Sequence, residues 1–313
     1  MFETFLNKEP CGRGSAQKGD GELLGVGAGA GHALRWSKHM GATETSPLLV
    51  GDRIYVGDYN GVVYCLGADG KTIWTFRAGG AVKGAIAYDR GRVFFGVYDG
   101  RLYALRASDG KLIWRAESNR DWLGGHGTFY STPSVAYSRV YLGSTDGHVY
   151  SFGEQSGKLR WSYKTSGFVY GSPAIWHGRI FVGSYDHTFY ALDAATGALL
   201  WTFHANGPIS GSTTVVDGIV YFATLGRRTY GLDARTGKEV WTYPDGAFIP
   251  VVTDGKRLYV VGWAKVYAFQ PSKAIDSGRR NDRDRSRRQG RRRSTRRGER
   301  ARRSGGRSRP RLR

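Results

Sequence analysis

Cysteine is nearly absent from this chain: Cys11 and Cys65 are the only two in 313 residues. Two thiols this far apart build neither a disulfide framework nor a paired-cysteine zinc site, and no adjacent-cysteine disulfide is available. Cys65 falls within an apolar run, where a buried free thiol is the ordinary expectation. Methionine is equally scarce, and no apolar stretch is long enough to cross a bilayer as a helix. No segment carries a sustained 3.6-residue apolar period with caps, so helices are not expected. Chemical signatures are missing as well. There is no phosphate-binding Walker loop, no dinucleotide fingerprint ahead of a helix, no Gly-x-Ser-x-Gly elbow and no His-Glu-x-x-His pair. The seven histidines are scattered, and His148 with His187 reads as a by-product of repetition rather than as a metal pair.

What the chain does have is aromatic residues at a fixed period. Tyr64, Tyr103, Tyr150, Tyr190 and Tyr230 are each followed ten or eleven residues later by Trp74, Trp114, Trp161, Trp201 and Trp241. Counted from Trp36, successive tryptophans lie 38, 40, 47, 40 and 40 residues apart, so one unit recurs with a single seven-residue insertion between Trp114 and Trp161. Within each unit, short runs rich in β-branched and aromatic residues alternate with turns such as Asp69-Gly70, Asp109-Gly110 and Thr196-Gly197. That is four strands per unit. Each unit opens on small residues, as in Thr45-Ser46-Pro47 and Gly171-Ser172-Pro173, which suit the narrow inner end of a wedge. Tyr and Trp suit its wide rim. The pattern predicts an all-β propeller.

Five complete units run from about residue 45 to 246, and residues 249–269 supply three further strands without a Trp strand. Ala33–Ser37, which contains Trp36, is expected to complete that sheet as the fourth strand, giving about six four-stranded blades and closing the ring. The chain then divides into an unassigned segment 1–32, a propeller over 33–273 and a basic tail over 274–313. From Ser277 to Arg313 there are eighteen Arg, no Lys and three acids, a surplus of fifteen positive charges; the remaining residues carry the other six. So few apolar residues predict disorder, with nonspecific affinity for nucleic acid or anionic membrane. The abrupt change from mixed Lys and Arg to Arg alone also fits a shifted reading frame. No secretory signal is visible, so the chain reads as cytoplasmic and the compartment stays open.

Two repeats carry a resemblance. Ala191-Leu192-Asp193-Ala194-Ala195-Thr196-Gly197-Ala198-Leu199-Leu200-Trp201 and Gly231-Leu232-Asp233-Ala234-Arg235-Thr236-Gly237-Lys238-Glu239-Val240-Trp241 resemble the repeat of PQQ-like (quinoprotein) β-propellers, including BamB-like assembly factors. The resemblance covers roughly residues 33–270 and is degraded where Arg106, Gly67 and Gly153 stand in place of Asp193. It implies that Trp36, Trp74, Trp114, Trp161, Trp201 and Trp241 are structural and dock on neighbouring blades. Some relatives are alcohol dehydrogenases that use PQQ with a bound Ca²⁺, an Asp base and commonly a disulfide between adjacent cysteines. The chain offers no such disulfide, so no PQQ, calcium or other cofactor is expected, and a quinoprotein fragment is the alternative. A nucleic-acid binder acting through the tail is the second alternative. Relatives of this fold are often exported.

A non-catalytic, monomeric interaction scaffold therefore has to act through a surface. Asp58, Asp99, Asp146 and Asp186 fall in the loops between second and third strands. They are either ordinary turn formers or a partial acidic ring around one mouth of the channel. The insertion Asn119–Tyr130 lies on the same face, with Trp122, His126, Phe129 and Tyr130 as candidate contacts and Phe168 and Tyr170 as neighbours. Its aromatics either bind a protein or peptide or tuck under the loop as a satellite cluster.

Overall fold

The computed structural model describes residues 34–119, 126–248 and 251–270. The tail, residues 1–33 and half of the insertion (120–125), Trp122 included, lie outside the described residues. Among those described there are 23 strands and no helix, hence none long and apolar enough to cross a membrane.

The strands form six antiparallel sheets in strict sequence order. The first holds β1 (Leu48–Val50), β2 (Arg53–Gly57), β3 (Val62–Gly67) and β4 (Thr72–Arg77); the second holds β5 (Ala87–Asp89), β6 (Arg92–Gly96), β7 (Arg101–Arg106) and β8 (Leu112–Glu117). The third comprises β9 (Ser134–Ala136), β10 (Arg139–Gly143), β11 (His148–Gly153) and β12 (Leu159–Lys164). The fourth has β13 (Ala174–Trp176), β14 (Arg179–Gly183), β15 (Thr188–Asp193) and β16 (Leu199–His204), and the fifth β17 (Thr214–Val216), β18 (Ile219–Thr224), β19 (Arg228–Asp233) and β20 (Glu239–Tyr243). The sixth has three strands, β21 (Val252–Thr253), β22 (Leu258–Val261) and β23 (Val266–Phe269).

Side chains alternate across each strand, and successive sheets bury facing sets. Phe95 faces the first sheet and packs with Tyr55, Cys65 and Trp74, whereas its neighbour Phe94 faces the third and packs with Val140, Leu142 and Phe152. The same arrangement joins sheets three and four through Tyr141 and Val182, and four and five through Phe189 and Phe222, whose rings stack at 4.1 Å. Sheets five and six share Tyr221, Trp241 and Val260. The core is thus a series of interblade layers.

The rim tryptophans lock each layer. Trp74, Trp114 and Trp161 donate from Nε1 to the carbonyls of Ala107, Glu154 and Ala194 in the following sheet, at 3.0, 2.9 and 3.0 Å. Each indole covers the left-handed glycine of that sheet's last hairpin: Gly110 (φ 71°), Gly157 (φ 65°) and Gly197 (φ 75°), where a Cβ would lie 2.6 Å from the ring. Trp201 covers Gly237 in the same way, but its Nε1 is buried with no hydrogen-bond partner.

The sixth sheet departs from the sequence expectation. Leu34–Ser37 forms no strand, and among the described residues β23 pairs with β22 alone. Trp36 nonetheless docks on the first sheet as the other tryptophans dock on theirs, lying over Gly70 and donating to Ala68 O at 2.9 Å. The indole lock and the strand ladder are separable, and here only the lock is made.

A second repeated device sits at the inner end. Where the chain enters a new sheet, one apolar residue turns inward: Val82, Phe129, Val169 and Ile209 are all fully buried. Each packs where a Cβ would otherwise project from the last glycine of the preceding sheet's second strand, Gly57, Gly96, Gly143 or Gly183. In the fifth sheet Ala223 stands in place of that glycine, and a Cβ on Gly246 would lie 3.1 Å from its side chain.

One interblade layer contains charge. Glu154, 1% exposed, occupies the position held by Ala107 and Ala194 in other units, and its Oε1 meets Arg92 Nη1 at 2.9 Å. Beside it Asp89 is 7% exposed, with Arg90 Nε at 3.6 Å. Burial, and then the Glu154 charge, push the Asp89 carboxyl up to about 6. The native state therefore holds this proton more tightly than the unfolded chain does. The resulting stability is greatest near pH 4, falls as pH rises through about 6 and is level above that, an effect of roughly 1–3 kcal/mol. Asp89→Asn should remove the dependence and raise stability at pH 7.5, as read by urea unfolding at pH 5.0 and 7.5. An unchanged pH profile in the variant would contradict this.

Candidate functional site

The loops between second and third strands, and the connections between sheets, meet backbone to backbone. Tyr59 N donates to Ala42 O, Tyr98 N to Ala81 O, Thr145 N to Thr128 O, Tyr185 N to Phe168 O and Leu225 N to Pro208 O. These bonds set the register of one face, and Tyr59, Tyr98, Thr145, Tyr185 and Leu225 are equivalent positions on it. One residue beyond each buried plug, Lys83, Tyr130, Tyr170 and Ser210 are likewise equivalent, and Glu44 takes the same place in the first unit.

The two sets interlock into an aromatic belt. Ring centroids lie 6.0 Å apart for Tyr98–Tyr130, 5.7 Å for Tyr130–Tyr170, 5.0 Å for Tyr170–Tyr185 and 5.8 Å for Phe168–Tyr170, mostly edge to face. All five tyrosines of the belt, counting Tyr59, are half-buried, and Phe168 is 49% exposed. At one end Lys83 Nζ lies 4.4 Å from the Tyr98 centroid, 4.9 Å from Tyr59 and 5.8 Å from Tyr130. Tyr130 Oη donates to Glu44 Oε2 at 3.4 Å. A hydrogen bond to the same carboxylate pushes Tyr59 up to about 12.

The acidic residues serve the scaffold. Asp146 and Asp186 each accept from the backbone N–H two residues on, at 2.9 Å, and from a tyrosine hydroxyl on the third strand, Tyr150 or Tyr190. Asp99 accepts from Arg101 N at 3.0 Å and pairs with its guanidinium at 2.9 Å. Asp58 is out of register with these three. It sits two positions earlier, is fully buried, and accepts from Val62 N, Gly41 N and Tyr64 Oη, while Asn60 stands at the loop position. The carboxylates are held by donors from their own sheets and from the connections that enter them.

Of the other candidate residues, Tyr130, Phe168 and Tyr170 come together in the belt. Phe129 does not: it is the plug beneath the face, wholly buried against Gly96 and, at 5.7 Å, the Tyr150 ring. His126 lies beside the second sheet, its Nδ1 3.1 Å from Ser118 O and its Nε2 3.8 Å from Glu117. Trp122 is outside the described residues. Tyr59, Tyr98, Tyr185, Lys83 and Glu44 are new to the site. Their signal was positional: each recurs at a fixed offset from the glycine that closes a second strand or from the plug.

Successive four-stranded sheets, rim indoles on hairpin glycines and a loop face over an inner axis define a PQQ-like β-propeller. The family described as outer membrane protein assembly factor BamB matches residues 19–168, 98–248 and 164–303, and the chain belongs to it. BamB from Moraxella catarrhalis shares the fold at 22% identity and a TM-score of 0.63, over 73% of this chain and 72% of that one. The computationally designed Ika8 protein superposes with the same TM-score at 14% identity, covering 72% of this chain and 70% of its own. Quinohemoprotein alcohol dehydrogenase ADH-IIG of Pseudomonas putida is 34% identical over 103 residues, which is 28% of this chain and 14% of the dehydrogenase. The chain thus matches about one seventh of that curated relative's length.

Proposed function

We propose that this chain is a non-catalytic interaction scaffold of the BamB-like kind, acting in envelope-related assembly and holding a partner protein or peptide against the tyrosine belt. The observation that carries this reading is the belt itself: Tyr59, Tyr98, Tyr130, Tyr170, Tyr185 and Phe168, partly exposed on one face of a rigid β scaffold. Tyrosine supplies large, stiff contact area with a polar tip and loses little side-chain entropy on binding. A photo-crosslinking residue at Phe168 should give one discrete protein adduct in the source cell. The same residue at Leu199, on the rim and 46% exposed, should give none. Equal labelling from both positions would remove the reading.

The local identity to a quinohemoprotein dehydrogenase raises a second reading, in which PQQ and Ca²⁺ are held. The described carboxylates and thiol give it little support. Among the described residues no group of three His, Cys, Asp or Glu side chains is placed to hold a metal ion, and Cys65 is buried in the first interblade layer. The loop carboxylates are engaged with backbone N–H groups, tyrosine hydroxyls and Arg101.

A further inference from the structure

Lys83 is the one side chain of the belt whose charge is unanswered. Its ammonium is half-buried among the faces of Tyr59, Tyr98 and Tyr130, and among the described residues it has neither a hydrogen bond nor an ion pair. Three other cations of the fold show the usual answer: Arg101 pairs with Asp99, Arg92 with Glu154 and Lys71 with Asp69. An ammonium has three N–H donors, and ring quadrupoles attract the charge without accepting those donors as oxygen does. The carboxylate of the belt, Glu44, accepts from the Tyr130 hydroxyl instead. Lys83 is therefore held in place with capacity for an anion.

We propose that Lys83 anchors a carboxylate subsite, in which an Asp or Glu side chain of a partner polypeptide meets the ammonium while adjoining residues of that segment lie along Tyr130, Tyr170, Tyr185 and Phe168. The proposal rests on the belt being a polypeptide-binding face. A monoanionic carboxylate fits better than a phosphate, because the subsite offers a single ammonium and no arginine fork. An extended segment fits better than a small free acid, because the ring contacts continue from the second sheet across the third to the fourth. An ion pair walled by aromatic rings is screened less than one in open water.

The test uses the full chain and two fluorescein-labelled, end-blocked peptides, Leu-Tyr-Glu-Leu-Phe-Gly and its Gln counterpart, titrated by fluorescence anisotropy at low and at 0.5 M salt. The wild type should bind the Glu peptide about five- to tenfold more tightly at low salt, as a charge-assisted hydrogen bond allows, and lose most of that preference at high salt. Lys83→Met should abolish the preference and leave the Gln peptide's affinity unchanged, and Lys83→Arg should retain it. Equal binding of the two peptides by the wild type, a preference that survives in Lys83→Met, or no saturable binding of either peptide overturns the proposal. Crosslinking at Phe168 does not involve Lys83, so the scaffold reading stands or falls separately.

Discussion

Replacing Trp161 with alanine lowers the unfolding free energy by about 3–5 kcal/mol. The indole is 8% exposed, contacts Tyr141 at a ring distance of 5.8 Å, covers Gly197 of the next sheet and donates to Ala194 O. Truncation removes that buried area, opens a cavity between two sheets and strands the carbonyl. Because the buried clusters lie between sequence-adjacent sheets, the loss is concentrated at one layer, and unfolding should become less cooperative as well as easier. Urea unfolding followed by Trp fluorescence and by far-UV circular dichroism reads both effects. A loss below about 1 kcal/mol would mean that the rim indoles are ornaments of the repeat and not its locks.

The reciprocal change, Gly197→Ala, should cost about 2–5 kcal/mol through two separate causes. Gly197 has φ 75°, a conformation that strains any L side chain by about 1–2 kcal/mol. Its Cβ would also lie 2.6 Å from Trp161 Cδ2, and relieving such overpacking costs typically about 1–3 kcal/mol. A double-mutant cycle separates the two. With Trp161 already alanine, Gly197→Ala should retain only the strain, so the pair is non-additive. Strict additivity would show that the ring and the glycine do not meet.

Much of this fold could be read from residue spacing, because its main contacts are periodic. The glycine four residues before each Trp and the Trp one unit earlier form one contact, so both show up as a repeat. The alternation of Phe94 and Phe95 to opposite layers follows from the two-residue period of a strand. The fourth strand of the last sheet was misplaced because Trp36 carries the same spacing whether or not its segment pairs with β23. The site was less legible. Asp58 looks like Asp99, Asp146 and Asp186 by its turn-forming neighbours, but sits two places out of register and faces inward. Phe129 looked like a binding aromatic because nothing in the linear pattern marks it as the plug for Gly96. Tyr59, Tyr98 and Tyr185 lie next to Asp58, Asp99 and Asp186 in sequence, and only the cross-loop backbone bonds bring them together with Tyr130 and Tyr170.

On the scaffold reading, this propeller acts through its surface and not through an internal quinone. Titrating the purified chain with PQQ in the presence of Ca²⁺, while following quinone absorbance and alcohol-dependent dye reduction, tests it most directly. No saturable spectral change and no reduction above the protein-free rate are expected. Stoichiometric quinone binding accompanied by alcohol-dependent turnover would contradict it.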